Sequence, residues 1–496
     1  MHISDLMADS GVGFGTSGAR GLVTQMTDWV CYAYTRGFLS ALAQTGQWSP
    51  GTAVGIGGDL RPSSPRIMVA CARAIRDAGG QPRNLGFIPS PAVAYYGFRE
   101  AIPTLMITGS HIPDDRNGIK FNLPNGEILK PDEERIRAQV IERPDGLFTA
   151  AGAFLSDQAA ALPAPEATAL DQYIARYLDF FPPAALSGLR VGVYEHSSVA
   201  RDPFVAVLTG LGAQVTRLGR SDRFVPVDTE AVRSEDHALA RDWAASGQFD
   251  ALVSADGDGD RPLLADEQGI WLRGDVAGVL CARQLGIQAL VTPVSSNSVV
   301  ERCGAFAPVV RTRIGSPYVI AGMQQVRDQG ATSVAGYEAN GGFLLATDLV
   351  NRAGRVLSAL PTRDALIVVV ALLLAAVERQ QPVSALLTQL PPRFTHSDRL
   401  KDFPTAISQA RLAALSSGDL AADLSASDGE FAALFGPTVA RDLTDGVRLT
   451  FKNREILHLR PSGNAPELRA YAEADSPERA AAITHQALAH LAHWRT

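Results

Sequence analysis

The sequence predicts a chain of several α/β domains. Three observations carry this. Short apolar runs such as Thr52 to Gly57, Asn84 to Ile88 and Pro103 to Ile107 alternate with helical patterns, which implies parallel strands joined by helical crossovers. The 496 residues correspond to three or four domains at roughly 150 residues or fewer each. Finally, 46% hydrophobic residues suffice for several cores, and 45 glycines and 30 prolines suffice for many turns.

The first domain spans 1–150. Gly11 to Gly21 is a glycine-rich segment whose backbone N–H groups can approach an anion, with Arg20 as a fixed cation, although a flexible N-terminal loop reads the same way. Ser63-Ser64-Pro65 opens a helix with serine as N-cap, and Ile67, Cys71, Ala74, Ile75 and Ala78 fall at helical spacing before Gly79-Gly80 ends it. The strand Pro103 to Ile107 then runs into Thr108-Gly109-Ser110-His111-Ile112-Pro113-Asp114-Asp115-Arg116-Asn117-Gly118-Ile119-Lys120. Open α/β sheets bind ligands at this end of their strands, so Ser110 is expected to be presented rather than packed. Lys120 is placed to return to it as proton carrier or charge partner. Asn117-Gly118 is also an ordinary turn pair.

From about Arg143 to Leu170 the composition turns to alanine and proline, and the segment reads as a linker with one loosely helical piece. The second domain, 165–270, has a strand at Leu189 to Tyr194, a helix at Pro203 to Leu211 and a longer helix at Thr229 to Ser246. The strand Ala251 to Ala255 ends in Asp256-Gly257-Asp258-Gly259-Asp260-Arg261-Pro262. Aspartates at alternate positions of an extended loop point to one side, and their repulsion calls for a cation. Mg²⁺ takes oxygen ligands and shares itself with phosphates. An EF-hand is disfavoured, because its sixth position needs glycine and here holds Arg261.

The third domain, 271–385, has strands at Ala289 to Val294, Val309 to Thr312 and Thr332 to Ala335, and a helix at Asn297 to Cys303. Gly336-Tyr337-Glu338-Ala339-Asn340-Gly341-Gly342 offers a carboxylate and an amide suited to vicinal hydroxyls, or forms a plain Asn-Gly hairpin. Arg313-Ile314-Gly315-Ser316 is a weaker candidate to line the same cleft. Ala365 to Val377 is too short to cross a bilayer at ~20 residues and reads as a buried helix. The last domain, 394–496, is α+β. Its strands are Val447 to Lys452, Glu455 to Leu459 and Glu467 to Ala472, and a helix starts at Asp475-Ser476-Pro477-Glu478. Between the last two strands, Arg460-Pro461-Ser462-Gly463-Asn464-Ala465-Pro466-Glu467-Leu468-Arg469 has the makings of a phosphate clamp, or of a polar hairpin.

A net charge of -7 argues against nucleic acid or an anionic membrane as partner. Cys31, Cys71, Cys281 and Cys303 form no C-x-x-C pair, which fits a reducing cytoplasm, and no signal peptide is evident at Met1 to Ser10. A serine is a poor nucleophile until activated, and no hydrolase-type Ser-His-Asp context is visible. A metal beside it suits phosphoryl transfer, where charge on the phosphoryl oxygens must be neutralised.

The order of these loops closely resembles the α-D-phosphohexomutase superfamily over essentially the whole chain, most like bacterial phosphomannomutase/phosphoglucomutases. Gly15 to Gly21 is similar to its N-terminal motif, Thr108 to His111 to its phosphoserine loop, Asp256 to Arg261 to its metal loop, Glu338 to the acidic residue of its sugar loop, and Arg460 to Asn464 to its R-P-S-G-T phosphate loop. The resemblance implies four domains around a central cleft, three related α/β mixed-sheet domains and a smaller α+β one. It implies Mg²⁺ on Asp256, Asp258, Asp260 and the phosphate of Ser110, a hexose 1,6-bisphosphate primer, and a small phosphosugar as substrate. Lys120 would be the general acid/base, with Arg20 and His111 stabilising charge. Glu338 and Asn340 would hold sugar hydroxyls, and Arg460, Ser462, Asn464 and Arg469 the non-reacting phosphate. The chain departs from the pattern in three places. Gly109 stands where alanine is usual, Ile112 where asparagine is usual, and the sugar loop reads E-A-N-G-G rather than E-x-S-G-H. The serine-loop variant is similar to that of phosphomannomutases of surface-polysaccharide pathways, so mannose is the expected hexose. Phosphoglucomutase or phospho(acetyl)glucosamine mutase is the alternative, and a silent phosphosugar-binding relative or a sugar phosphatase the more distant one.

Overall fold

The computed structural model describes residues 1–15, 18–156, 161–462 and 466–495. It is a mixed α/β protein that divides into two compact units. One comprises Met1–Ala289 with Gly315–Leu387, the other Leu290–Ile314 with Thr388–Thr496.

In the first unit, a mixed sheet is built around the strands Ala53–Gly58 and Thr104–Ile107, which are parallel and buried throughout. Gln81–Gly86 extends it in parallel, whereas Arg116–Leu123 lies antiparallel to Thr104–Ile107 and carries Ala19–Leu22 on its far side. Lys120 is therefore a strand residue, opposite Met106. The helix Ser64–Asp77 buries Ile67, Cys71, Ala74 and Ile75 as its spacing requires. Ser63 is not its cap in the expected sense. The residue is already helical, and its hydroxyl accepts the Asn117 amide at 2.8 Å. Part of the expected linker is packed: Phe148 stacks edge-on against Trp29 and Tyr32, and the helix Thr168–Phe180 begins before the linker's expected end.

A second sheet runs in the order Pro262–Ala265, Ala251–Ala255, Arg190–His196, Gln214–Arg220; the first pair is antiparallel and the others parallel. The helix expected over Thr229 to Ser246 is shorter, Ser234–Ala244. Asp228 turns the chain by accepting the Glu230 N–H, and Arg233 is extended, so helical backbone starts only after it. Further on, Val334–Tyr337, Phe343–Leu345 and Leu360–Asp364 form an antiparallel set. Asp364 caps the helix Ala365–Arg379 through the Leu366 N–H. That helix is buried on nearly every side, which explains its uninterrupted apolar sequence. Among the described residues no helix is long and apolar enough to cross a membrane.

The second unit contains a parallel pair in which Leu290 to Pro293 of the strand Ala289–Pro293 lie beside Val309–Thr312. The helix expected over Asn297 to Cys303 is only Val299–Arg302, because the Asn297 side-chain amide oxygen takes the Val299 N–H in an Asx turn. An antiparallel sheet follows, in the order Phe394–Leu400, Leu468–Ala474, Ile456–Pro461, Val447–Phe451, Thr438–Asp442. The helix Pro477–Leu491, capped by Ser476, packs on it. Two helices, Thr405–Ala413 and Leu420–Phe435, lie in a segment to which the sequence assigned no element.

Candidate active site

Ser110 follows the strand Thr104–Ile107, and contrary to expectation it is packed, 1% exposed. Its backbone is left-handed, φ 58°, a conformation that costs a non-glycine residue about 1–2 kcal/mol. The surroundings hold it there. The Ser110 N–H donates to Thr108 Oγ1 at 2.7 Å, and Arg61 Nη2 donates to the Ser110 carbonyl at 3.0 Å and also to that of Ile112. Arg61 is itself fixed by a buried pair with Asp59 and stacks on the Phe224 ring, 4.1 Å to the centroid. Asp59 also receives the hydroxyls of Ser64 and Thr108, both at 2.7 Å. The sequence reading passed over Asp59 and Arg61. Their signal was a charged pair, Asp-Leu-Arg, directly after a buried strand adjacent to the serine strand. The same guanidinium explains Gly109, since a Cβ there would lie 2.8–2.9 Å from Arg61 Cζ, Nε and Nη2.

The Ser110 hydroxyl donates to Asp256 Oδ2 at 2.5 Å. Asp256 leaves the end of Ala251–Ala255, and Asp258 and Asp260 follow in the loop before Pro262–Ala265. All three are buried, with carboxylate oxygens within 4.8 Å of one another. Lys120 Nζ lies 2.5 Å from Asp258, 2.7 Å from Asp260 and 3.4 Å from Ser90 Oγ, so its partners are the aspartate loop and Ser90. Burial and the two neighbouring carboxylates push the Asp256 carboxyl well above the usual range. Burial acts the same way on Asp258, but the ammonium of Lys120 outweighs it and holds that carboxyl below the range. Asp258 Oδ1 and Asp260 Oδ1 are buried and accept no hydrogen bond among the described residues. Three converging carboxylates with two orphaned oxygens fit a hard divalent cation.

Cations surround this cluster. Arg20, on the strand Ala19–Leu22 opposite Gly118, is lowered to about 10 by burial and by the charges of Arg261 and Arg61. Arg261 Nη1 donates to His111 Nδ1 at 2.7 Å; that nitrogen lies 3.3 Å from Ser110 Oγ. His111 is lowered to about 3 by burial and Arg261, and is therefore neutral. Its Nε2 is 3.9 Å from Asp228, a residue the sequence reading did not single out.

Glu338 follows Val334–Tyr337 in a tight turn closed by Gly341 N–H to the Glu338 carbonyl at 2.9 Å. Its carboxylate takes Arg363 Nη1 at 2.8 Å, and the same guanidinium donates to Asp260 Oδ2 from Nε at 3.0 Å and Nη2 at 2.9 Å. Arg363, absent from the sequence-based set, thus ties the metal loop to the expected sugar loop. Asn340 also serves its own turn. Its side-chain carbonyl accepts the Gly342 N–H at 3.0 Å, so the turn consumes half of the amide. Ser316 is turned to Glu127, at 3.2 Å.

In the second unit, Arg460 and Arg469 are cross-strand partners. Arg460 Nε pairs with Asp445 at 2.9 Å and Arg469 Nη2 approaches Glu467 at 3.4 Å. Ser462 is buried and donates its N–H to the Glu467 carbonyl at 2.8 Å. Asn464, like Thr16 and Ser17 of the N-terminal motif, lies outside the described residues.

Models of the phosphoglucomutase/phosphomannomutase family match this chain three times. The α/β/α domain I matches residues 11–145, the α/β/α domain III residues 273–394 and the C-terminal domain residues 413–490. The chain is 43% identical over 493 residues to a phosphomannomutase of Salmonella muenchen, covering 98% of this chain and 97% of that one. The protein belongs to the phosphoglucomutase/phosphomannomutase family. A phosphomannomutase of Sinorhizobium fredii is 44% identical over 484 residues, 96% of this chain and 98% of the relative. The fold is shared with a family protein of Burkholderia thailandensis at a TM-score of 0.72 and 18% identity, covering 97% of each chain. It is also shared with an Aspergillus fumigatus N-acetylphosphoglucosamine mutase, solved with GlcNAc-6P and magnesium, at a TM-score of 0.58 and 12% identity, covering all of both chains. The protein is a mutase, an isomerase of the phosphohexomutase type.

Proposed function

We propose that this mutase interconverts mannose 6-phosphate and mannose 1-phosphate through a phosphoserine at Ser110. The observation that carries the reading is the Ser110 hydroxyl on Asp256, inside a carboxylate cluster ringed by Arg20, Arg261, Arg363 and Lys120. The names of the relatives at 43% and 44% identity support mannose as the hexose.

In this reading the phosphoryl group on Ser110 passes to the free hydroxyl of a hexose monophosphate. The P–O bond to serine breaks as the new one forms, and the product is a hexose 1,6-bisphosphate. After it turns over, its other phosphoryl group returns to Ser110 and leaves the isomeric monophosphate. A hexose 1,6-bisphosphate primes the serine. Asp256, Asp258 and Asp260, with the Ser110 phosphate, would hold Mg²⁺, which supplies charge neutralisation on the phosphoryl oxygens. Lys120 is the acid/base: as an ammonium it gives a proton to the leaving serine oxygen and, left neutral, takes the proton of the attacking hydroxyl. Arg20 and Arg261 offset charge on the phosphoryl oxygens, with His111, whose Nδ1 lies 3.3 Å from Ser110 Oγ, helping to stabilise charge there. Glu338 and the amide N–H groups of Asn340 hold sugar hydroxyls, while Arg460, Ser462, Asn464 and Arg469 hold the non-reacting phosphate. The domain boundaries 1–150, 165–270, 271–385 and 394–496 belong to the same proposal, as does a cytoplasmic location, which the four free thiols support.

Phosphorus NMR with Mg²⁺ and a bisphosphosugar primer tests it. Mannose 1-phosphate should isomerise faster than glucose 1-phosphate, glucosamine 1-phosphate or N-acetylglucosamine 1-phosphate. Ser110→Ala should abolish turnover while retaining the fold. Free phosphate without isomerisation would indicate a phosphatase, and fastest conversion of N-acetylglucosamine 1-phosphate would reassign the hexose.

A further inference from the structure

The basic group that serves the sugar loop comes from outside the loop. At Gly342, the position where similar loops carry histidine, a Cβ would stand 2.5 Å from Arg363 Cδ and 2.7 Å from its Cγ. The stem of Arg363 therefore fills the space of any side chain at 342. Its guanidinium is fully buried and spans two carboxylates, Glu338 through one N–H and Asp260 through two. One Glu338 oxygen is consumed by Arg363, and Oε1 accepts no hydrogen bond among the described residues. A carboxylate gripped at one oxygen by a planar, rigid donor is fixed in rotation, and the second oxygen is aimed rather than free to turn. Lysine, with a single ammonium, cannot reproduce a contact from three nitrogens to two carboxylates.

From this geometry we infer that Arg363 is the positioning residue of the sugar loop: together with Gly342 it replaces an in-loop side chain, orients Glu338 toward the sugar hydroxyls and ties that carboxylate to Asp260. The inference rests on Glu338 being the sugar ligand of the proposed function. It also explains why the loop reads E-A-N-G-G, since any residue larger than glycine at 342 would displace the arginine.

The test is equilibrium binding of mannose 1-phosphate by calorimetry in a Ser110→Ala background, where no turnover occurs. Arg363→Met, which keeps the stem and removes the charge, should weaken binding at least tenfold, and Arg363→Lys should restore part of that loss. Because Arg363 acts through Glu338, Glu338→Gln with Arg363→Met should bind no more weakly than Glu338→Gln alone. Arg363→Lys alone carries the test if the methionine variant does not fold, with an expected loss of several-fold. Unchanged affinity in a folded Arg363 variant would overturn the inference, and so would fully additive losses in the double variant. A wild-type protein without mutase turnover, but with these binding losses intact, would overturn the mannose assignment and leave the positioning role standing.

Discussion

Replacing Arg61 by methionine should be among the most damaging single changes near Ser110 that leave the reacting groups themselves intact. The guanidinium is wholly buried, and it makes three kinds of contact at once: the pair with Asp59, the hydrogen bonds to the carbonyls of Ser110 and Ile112, and the stack on Phe224. Methionine preserves much of the volume, so cavity formation is a minor part of the effect. What remains is a buried Asp59 carboxylate with hydrogen bonds from Ser64, Thr108 and the Arg61 backbone N–H but no counter-ion. Breaking one side of a buried pair costs about 3–5 kcal/mol. At roughly 2–4 °C per kcal/mol for a mid-sized domain, the melting temperature should fall by some 6–20 °C, nearer the lower figure in so long a chain. Ser110 would also lose the donor that pins its carbonyl in a strained conformation, and a displacement of about 1 Å there should lower kcat/KM by about 10²-fold. The double variant Asp59→Asn with Arg61→Met removes the stranded charge and should recover more than half of the lost thermal stability, but not the activity. The assay is a thermal melt of the three proteins beside kcat/KM for mannose 1-phosphate. A single variant that melts within about 2 °C of wild type would refute the argument, as would a double variant no more stable than the single one.

Gly109→Ala places its Cβ 2.8–2.9 Å from the same pinned guanidinium, so it should destabilise by about 1–3 kcal/mol and slow turnover; wild-type melting and kcat together would show that Arg61 can yield. Lys120→Ala should slow phosphoryl transfer by about 10²–10⁴-fold in single-turnover assays, and a change confined to Mg²⁺ affinity would reassign the lysine to the metal loop it touches. His196 and His458 are each lowered to about 4, chiefly by burial. Each donates Nε2–H to a backbone carbonyl, of Ala255 and Asp445, and each has a buried Nδ1 without a partner among the described residues. The unfolded chain takes up these protons near pH 6.5 and the folded one only near pH 4, so stability is full above pH 6.5 and falls as the pH drops toward 4. The loss is roughly 3 kcal/mol per histidine. Replacing either by glutamine should flatten the acid limb of a stability-against-pH curve, and an unchanged limb would refute its part in it.

Several features of the protein were already decided along the chain. The alternation of buried strands with amphipathic helices set the α/β class. The aspartates at 256, 258 and 260 marked a candidate metal loop by their spacing, but a turn, closed by the Gly259 N–H on the Asp256 carbonyl at 3.1 Å, gathers them rather than the extended backbone expected. Ser110 could be located because a polar turn at the end of an apolar strand is a local property. Tertiary structure decided what these groups touch. The burial of Ser110, the contact of Lys120 with Asp258 and Asp260, and the support from Asp59 and Arg61 join residues tens to more than a hundred positions apart, brought together by strand order. Arg363 was invisible to any local pattern, since its meaning lies in a contact with Glu338, Asp260 and the empty side of Gly342. The shortened helix at Ser234–Ala244 has the same origin: an Asx turn at Asp228 and the Thr229 hydroxyl on the Asn340 carbonyl, at 2.8 Å, compete with helical hydrogen bonds. Periodicity reports which face of an element is apolar. Charge pairing across a sheet edge depends on register and on the approach of loops distant in sequence, and those are fixed only when the chain packs.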